Sequence, residues 1–239
     1  MICIVGSKFN HITWPIMPSD YVLYTYFRSS CSARVRIAAL YKGIHLDYKF
    51  INLLRNEQNS DDYAKINTSH AVPTLVLTRD DGRKVVVQQS IAILEFLEES
   101  RPDLPSLLPS ECEPRARVRE LVNIVACEIQ PLTNLKVLTR VKSMGGDGQQ
   151  WQKDHMSSGL HAFEQLIQRQ PISKFAVGDT PTMADVVLVP AVDGALRFGV
   201  DISLFPRIQK VYATAQELPA FQQGGWEAQP DNPNKAPAA

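Results

Sequence analysis

The hydrophobic pattern of the chain changes character once, at a proline-rich stretch at 102–114. Before it, short β-branched and aromatic runs alternate with helical patterns, which is typical of an α/β domain. After it, apolar residues recur at helical spacing over long segments. The sequence therefore predicts an α/β domain at 20–101, a linker at 102–113 and an all-helical domain at 114–228.

The elements of the first domain are predicted in the order strand, helix, strand, short helix, two hairpin strands and helix. This order resembles that of thioredoxin folds. Pro73 stands at the entrance of the first hairpin strand, where a cis peptide bond is common, and Asp-Gly at 81–82 marks the hairpin turn. The predicted strands lie at 21–26, 46–51, 71–77 and 85–87, and the helices at 30–42, 61–65 and from 90 to just before 102.

The second domain is predicted from helical spacing and from its start signals. Pro131 falls inside a helical pattern and predicts a kink there. Thr182 and Asp185 form a capping box, which is expected to be structural. Helices are predicted at 118–129, 151–169, 186–195 and 206–216. Both ends of the chain fit no element, so 1–19 is expected to be a flexible extension and the proline- and asparagine-rich 229–239 a disordered tail.

Composition narrows the function classes. The chain carries 25 basic and 25 acidic residues, so it lacks the positive charge of a nucleic-acid-binding protein. No apolar run reaches the roughly 20 residues of a membrane span. The four cysteines show neither CxxC nor zinc-like spacing, which favours reduced thiols inside a cell and no metal site.

Three hydroxyls and a thiol occupy the junction between the first predicted strand and helix, at 29–32. The free N–H groups of a helix start favour an anion and lower the pKa of a thiol. Ser29, Ser30 or Cys31 could therefore hold a thiolate or supply one, with positive charge from Arg28, Arg34 and Arg36. The alternative is that Ser29 or Ser30 only caps the helix.

Five motifs in this order resemble the zeta class of the glutathione transferases, which includes maleylacetoacetate isomerase. The resemblance runs from about residue 21 to residue 226. Ser-Ser-Cys and the Ile-Gln-Pro-Leu-x-Asn-Leu segment are its most class-specific parts. The motifs are SSCSARVRIA (29–38), AVPTL (71–75), QQSIAILEFLEE (88–99), EIQPLTNLKVL (128–138) and GDTPTMAD (178–185). The resemblance implies glutathione as cofactor, a cytoplasmic homodimer and the glutathione transferase fold.

The residues that match the family's glutathione site have side chains and backbone groups suited to binding glutathione. The backbone of Val72, before Pro73, would pair with glutathione like an added strand. Gln89 and Ser90 would bind its γ-glutamyl carboxylate at a helix start. The remaining implied glutathione-site residues are Ser29, Ser30, Cys31, Ser32, Ala33 and Arg34, with Ser29, Ser30 and Cys31 as the catalytic group, and Gln130, Asn134, Leu135 and Lys136 from the helical domain. Gln130 and Asn134, one helical turn apart, are expected on one helix face or to be merely structural amides.

Arg197 matches a family arginine proposed to meet the substrate's carboxylate, and Arg28 is a second candidate. The chain departs from the family at two places. Ala33 replaces the usual tryptophan, which removes a large ring near the site. The loop at 52–62 is about two residues short, so the family's glutamine contact has no clear partner, although Gln58 or Asn59 could serve.

The activity that the resemblance implies is glutathione-dependent cis–trans isomerisation of maleylacetoacetate to fumarylacetoacetate in tyrosine and phenylalanine breakdown. The substrate would be a small dicarboxylate, with no nucleic-acid or membrane partner. Three alternatives remain open at this stage. One is a general transferase or dehalogenase, which consumes glutathione. Another is a monothiol transferase that uses Cys31. The third is a non-catalytic binding protein.

Overall fold

A computed structural model of the chain describes residues 20–235. The predicted extension at 1–19 and the last four residues of the predicted tail lie outside the described residues. The N-terminal domain is built on a four-stranded mixed sheet in the order β2-β1-β3-β4. Strand β1 pairs in parallel with β2 and antiparallel with β3, which pairs antiparallel with β4. The strands are β1 Tyr21–Thr25, β2 Asp47–Phe50, β3 Thr74–Thr78 and β4 Lys84–Gln88.

Three helices cover this sheet. Helix α1 begins after the N-cap Ser29 and ends at Gly43, whose φ of 72° suits the left-handed position that stops a helix. Strand β3 begins three residues later than expected because the chain turns at Val72-Pro73, where the peptide bond is cis. The helices are α1 Ser30–Lys42, α2 Asp61–Ala64 and α3 Ser90–Ser100, and 3₁₀ turns lie at Leu53–Arg55 and Glu57–Asn59. The thioredoxin-like prediction is confirmed.

The C-terminal domain is all-helical, as predicted. Between residues 20 and 235, no helix combines the length and apolar character needed to cross a membrane. Helix α10, a single short element after the expected final helix, was not predicted. The helices are α4 Cys112–Asn123, α5 Gln130–Thr133, α6 Leu135–Ser143, α7 Gly148–Gln168, α8 Met183–Arg197, α9 Pro206–Gln216 and α10 Pro219–Gly224.

The chain around Pro131 stays helical but is irregular on both sides. A π-helical segment, Ile124–Ile129, precedes α5, and the N–H of Gln130 donates to the carbonyl of Val125. The helix then stops at Asn134, whose backbone is extended. Proline has no N–H to donate to the carbonyl four residues earlier. The regular α-helical hydrogen-bond pattern is therefore already interrupted here, and a π-helical turn can be accommodated. The expectation that Gln130 and Asn134 share one continuous helix face is therefore wrong.

Helix α8 forms the centre of the helical domain and begins at the predicted capping box. The carboxylate of Asp185 accepts hydrogen bonds from the N–H and hydroxyl of Thr182 and from the N–H of Ala176. Complete burial raises the pKa of Asp185 to about 6, and these hydrogen bonds oppose the shift. The structural interpretation of the capping box is confirmed.

One buried apolar cluster extends across the two domains, and Ile37, Ala38 and Leu94 of the first domain belong to it together with α8. The first domain also has buried apolar clusters of its own. Helix α10 packs tightly on α1, because a Cβ at Gly224 would lie 2.6 Å from the Ile37 side chain and 2.9 Å from its Cα. The close approach of these two helices therefore depends on glycine at this position.

Arg36 is fully buried in this interdomain contact. Its guanidinium donates to the Thr25 hydroxyl and to the carbonyls of Tyr26, Phe27 and Gly224. Burial lowers the pKa of Arg36 to about 10. Arg36 therefore stays charged at neutral pH, but its guanidinium joins β1, α1 and α10 and is not available to a ligand at the start of α1.

The segment at 229–235 is packed, so the prediction of a disordered tail is wrong for these residues. The side chains of Gln229 and Asn232 are buried and donate to backbone carbonyls of the chain just before them. The Asp231 carboxylate accepts a hydrogen bond of 2.9 Å from the N–H of Phe27. The segment has few apolar residues that could pack against the core. Hydrogen bonds between its polar side chains and the backbone fix its position instead.

Candidate functional site

A cavity of about 700 Å³ lies between the two domains. Its walls are the start of α1, the turn before β3, the start of α3, the irregular stretch from α4 to α6, and the end of α8. Fourteen of the predicted site residues line it: Arg28, Ser29, Ser30, Cys31, Ala33, Arg34, Val72, Gln89, Ser90, Gln130, Asn134, Leu135, Lys136 and Arg197. Ser32 does not line the cavity, because its side chain is completely buried on the inner face of α1. We therefore remove it from the candidate site.

The start of α1 presents two unpartnered polar side chains to this cavity. Ser29 is the N-cap, and its hydroxyl oxygen accepts a hydrogen bond of 3.1 Å from the N–H of Ser32. The Ser30 hydroxyl and the Cys31 thiol are half-buried, and neither makes a hydrogen bond within residues 20–235. Ser29 therefore caps α1 while its hydroxyl hydrogen stays free to donate into the cavity, and Ser30 and Cys31 are also available to a ligand.

Val72 offers a free length of extended backbone. It is buried and lines the cavity, yet neither its N–H nor its C=O bonds to any residue in the described part of the chain. Buried backbone groups nearly always find a partner. An extended peptide placed along this edge would supply one, as an added strand does in peptide recognition.

The start of α3 combines a helix N-terminus with a buried cation. Ser90 is the first residue of α3, and Gln89 before it has a positive φ of 70°. Arg34 is buried behind them, and its Nη1 donates to the Ser90 hydroxyl oxygen at 3.1 Å. Because that oxygen accepts from Arg34, the Ser90 hydrogen is left to donate to a ligand. The arrangement suits a carboxylate.

The helical domain contributes from α5 and the break after it. The Asn134 side-chain oxygen caps α6 by accepting from the N–H of Val137, and its amide NH₂ group is free to donate to a ligand. The Lys136 ammonium donates to the carbonyl of Ser69 at 2.8 Å, across the domain boundary. Gln130 reaches the same cavity from α5. These residues form the contribution of the helical domain to the cavity lining.

The outer side of the cavity carries two arginines. The Arg197 guanidinium lies 5.3 Å from the ring centroid of Trp226, within range of a cation–π contact. Burial and the nearby charge of Arg28 both lower the pKa of Arg197, while Asp193 opposes this. Neither arginine is paired with a carboxylate within residues 20–235. Both predicted substrate-binding arginines are therefore available for an anion.

Comparison with known proteins gives the family. The glutathione S-transferase N-terminal domain matches residues 28–100, and the glutathione S-transferase C-terminal domain matches residues 141–223. A maleylacetoacetate isomerase of Emericella nidulans is 45% identical over 218 residues, which cover 89% of this chain and 94% of that protein. The chain belongs to the glutathione S-transferase family.

Two solved structures narrow this to the zeta class. One is a maleyl pyruvate isomerase, described as a bacterial zeta-class transferase, with a TM-score of 0.82, 38% identity and coverage of 88% of this chain and 99% of that one. The other is a maleylacetoacetate isomerase from Anaeromyxobacter dehalogenans, with a TM-score of 0.80, 36% identity and coverage of 90% and 94%. That structure holds dicarboxyethyl glutathione and citrate in its active site.

The cavity of this zeta-class transferase is also lined by residues that sequence reasoning left unassigned. Gln58 is buried, lines the cavity and has a side-chain oxygen without a partner, whereas Asn59 is exposed and lies outside the lining. The His70 ring contacts the carbonyl of Gln58 at 3.1 Å. Trp226 and Asp193 reach the cavity from the C-terminal domain. Gln58 was one of two candidates named from the sequence, and the structure favours it over Asn59. His70, Asp193 and Trp226 carry no local sequence pattern, so only the fold identifies them.

Proposed function

We propose that this protein catalyses the glutathione-dependent cis–trans isomerisation of maleylacetoacetate to fumarylacetoacetate, a step of tyrosine and phenylalanine breakdown. The observation that carries the proposal is one cavity in which the free Ser30 hydroxyl and Cys31 thiol face the same space as Arg28 and Arg197. The first pair suits a thiol nucleophile, and the second suits a substrate with carboxylate groups. The isomerase names of the relatives support the assignment.

The residues of the cavity fit glutathione. The unpartnered backbone of Val72 suits its cysteinyl portion, and Ser90 with Arg34 behind it suits its γ-glutamyl carboxylate. Gln89, Gln130, Asn134 and Lys136 complete the polar lining. When bound, glutathione supplies a thiol whose reversible addition to the conjugated double bond allows that bond to rotate.

The chain's own residues perform three tasks around that chemistry. Ser30 donates a hydrogen bond to sulfur and, with the helix end behind it, favours thiolate over thiol. Ser29 holds the start of α1 in place by capping it. Arg28 and Arg197 bind a substrate carboxylate and stabilise the negative charge that develops on the conjugated carbonyl oxygen.

The balance of glutathione tests the proposal. The protein is mixed with maleylacetoacetate and a small amount of glutathione, isomer conversion is followed by absorbance, and free thiol is titrated in the same tube. We expect many turnovers per glutathione with no loss of thiol, against a control without protein. Loss of one thiol per substrate converted would replace the isomerase assignment with conjugation.

The unpartnered Cys31 thiol favours a second candidate, a glutathione-dependent thiol transferase that works through a mixed disulfide. Disulfide reduction by the same preparation measures this activity.

We also propose a cytoplasmic homodimer. Light scattering should give twice the mass of the chain, and a monomer mass would contradict the dimer.

A further inference from the structure

A second cavity, of about 570 Å³, adjoins the first. It lies between the 3₁₀ turn at Leu53–Arg55, the end of α8 and the packed C-terminal segment. Five residues line both cavities, so the two meet along one wall: Tyr26, Arg28, Leu54, Arg197 and Trp226. A ligand longer than the first cavity would extend into the second.

The second cavity is strongly cationic. Arg28, Arg55 and Arg197 line it, and within residues 20–235 none of their guanidinium groups donates a hydrogen bond or pairs with a carboxylate. Asp231 also lines it, but one of its carboxylate oxygens already accepts from the N–H of Phe27. Three guanidinium groups thus face one carboxylate, which favours an anionic ligand.

The backbone of Arg55 is held in place although the residue is exposed. The Asn52 side-chain oxygen accepts hydrogen bonds from the N–H groups of Leu54 and Arg55. The N–H of Asn52 donates in turn to the Glu57 carboxylate at 2.7 Å. Asn56 then turns the chain with a φ of 58°. This network fixes the backbone of Arg55 at the wall of the cavity.

We propose that Arg55 determines specificity by binding the second carboxylate of an extended dicarboxylate. The first carboxylate lies beside Arg28 or Arg197, where the two cavities meet. This inference rests on the proposed function, because maleylacetoacetate carries a carboxylate at each end of its carbon chain. It also predicts selection for dicarboxylates over monocarboxylates of the same length.

Calorimetric titration with two unreactive acids of equal length tests this. Suberate, a dicarboxylate, and octanoate, a monocarboxylate, are titrated into the glutathione-loaded protein and into Arg55→Gln and Arg55→Lys. Arg55→Gln should weaken suberate binding by roughly threefold to tenfold, since one exposed charge-assisted contact is lost, and leave octanoate unchanged. Arg55→Lys should recover part of the suberate affinity. Arg79→Gln, on the exposed β3–β4 hairpin outside both cavities, is the matched control.

Three results would overturn the inference: equal weakening of both acids in Arg55→Gln, the same suberate affinity in Arg55→Gln and Arg79→Gln, or no binding of suberate to the unaltered protein. The titration needs no turnover, so it is separable from the isomerase assay. A protein that does not isomerise maleylacetoacetate but loses suberate selectivity in Arg55→Gln would refute only the proposed function.

Discussion

Ser30 and Cys31 differ in how well they can stabilise a bound thiolate, although both face the cavity without a partner. A hydroxyl is a good hydrogen-bond donor and a thiol a weak one. We therefore expect Ser30→Ala to lose isomerase activity on the order of 10²-fold, as when one activating donor is removed. Cys31→Ala should keep a substantial part of the activity. Initial rates of isomerisation for both variants measure this.

The thiol-transferase alternative predicts the opposite ranking. Both variants are therefore also assayed for disulfide reduction, and the unaltered protein is examined by mass spectrometry for a glutathione adduct. If Cys31→Ala is inactive in both assays while Ser30→Ala stays active, Cys31 is the nucleophile and the roles given above are reversed.

Ser90 is expected to anchor glutathione through a hydrogen bond to a carboxylate, which is worth about 1.5–3 kcal/mol. Ser90→Ala should therefore weaken glutathione binding by roughly tenfold or more. Calorimetric titration of glutathione measures the loss. Ser100→Ala, at the exposed other end of α3, controls for a general effect on that helix. Equal affinities in these two variants would remove Ser90 from the site.

At the scale of elements, the buried pair of Lys42 and Glu98 joins α1, α3 and the linker. The Lys42 ammonium lies 2.8 Å from Glu98 and 2.9 Å from the carbonyl of Pro105. Burial raises the pKa of Glu98. Hydrogen bonds from Lys42, Ser106 and the N–H of Leu107 have a larger combined effect in the other direction, so the pKa lies below its ordinary value. The ionised carboxylate is therefore what stabilises this junction.

The lowered pKa of Glu98 makes the stability of the fold depend on pH in a known direction. The folded-state pKa of Glu98 lies below the unfolded value of 4.5. Its contribution to stability is therefore present above that value and is lost as pH falls through the folded-state pKa. Glu98→Gln should cost about 3 kcal/mol of unfolding free energy at neutral pH, since it leaves the Lys42 charge buried, and less in acid.

Urea unfolding at neutral pH and well below the ordinary glutamate pKa measures both values. Glu99→Gln alters an exposed neighbour on the same helix and serves as the control. A loss of stability in Glu98→Gln that stays constant across this pH range would show that the ion pair is not its cause.

Most of the elements were predictable because their signals are local. The N-cap Ser29, the stop at Gly43 and the capping box of α8 each act within a few residues. Features that depend on distant contacts were missed. Arg36 donates to the carbonyl of Gly224, which lies 188 residues away in the sequence, and Asp231 accepts from the N–H of Phe27, which lies 204 residues away. No local sequence pattern predicts either partner.

The site divides in the same way. Residues that belong to a contiguous motif, such as Ser30 and Ser90, were predicted and line the cavity. Ser32 belongs to the same motif but is buried, because successive residues of a helix lie about 100° apart around its axis and Ser32 faces away from the cavity. Gln58 and Arg55 come from an irregular loop, whose shape depends on its own hydrogen-bond network rather than on a periodic pattern.

At the scale of the whole molecule, the C-terminal segment closes one side of the second cavity and is fastened to the first domain by Asp231. We expect Asp231→Ala to release this segment while the core of α8 stays folded. Hydrogen exchange followed by mass spectrometry should show faster exchange at 226–235 and at Phe27. Asp154→Ala, on the exposed face of α7, provides the comparison. Unchanged exchange at 226–235 in Asp231→Ala would mean that Asp231 does not hold the segment.

The bond from Arg36 to Gly224 also sets the order of events during synthesis. The first domain leaves the ribosome long before Gly224 is made, so its buried guanidinium lacks one acceptor and the apolar face of Ile37 has no cover. We expect chains arrested before α10 to be digested quickly by protease and chains extended past it to resist. We therefore expect the nascent chain to need protection from aggregation until α10 has been translated.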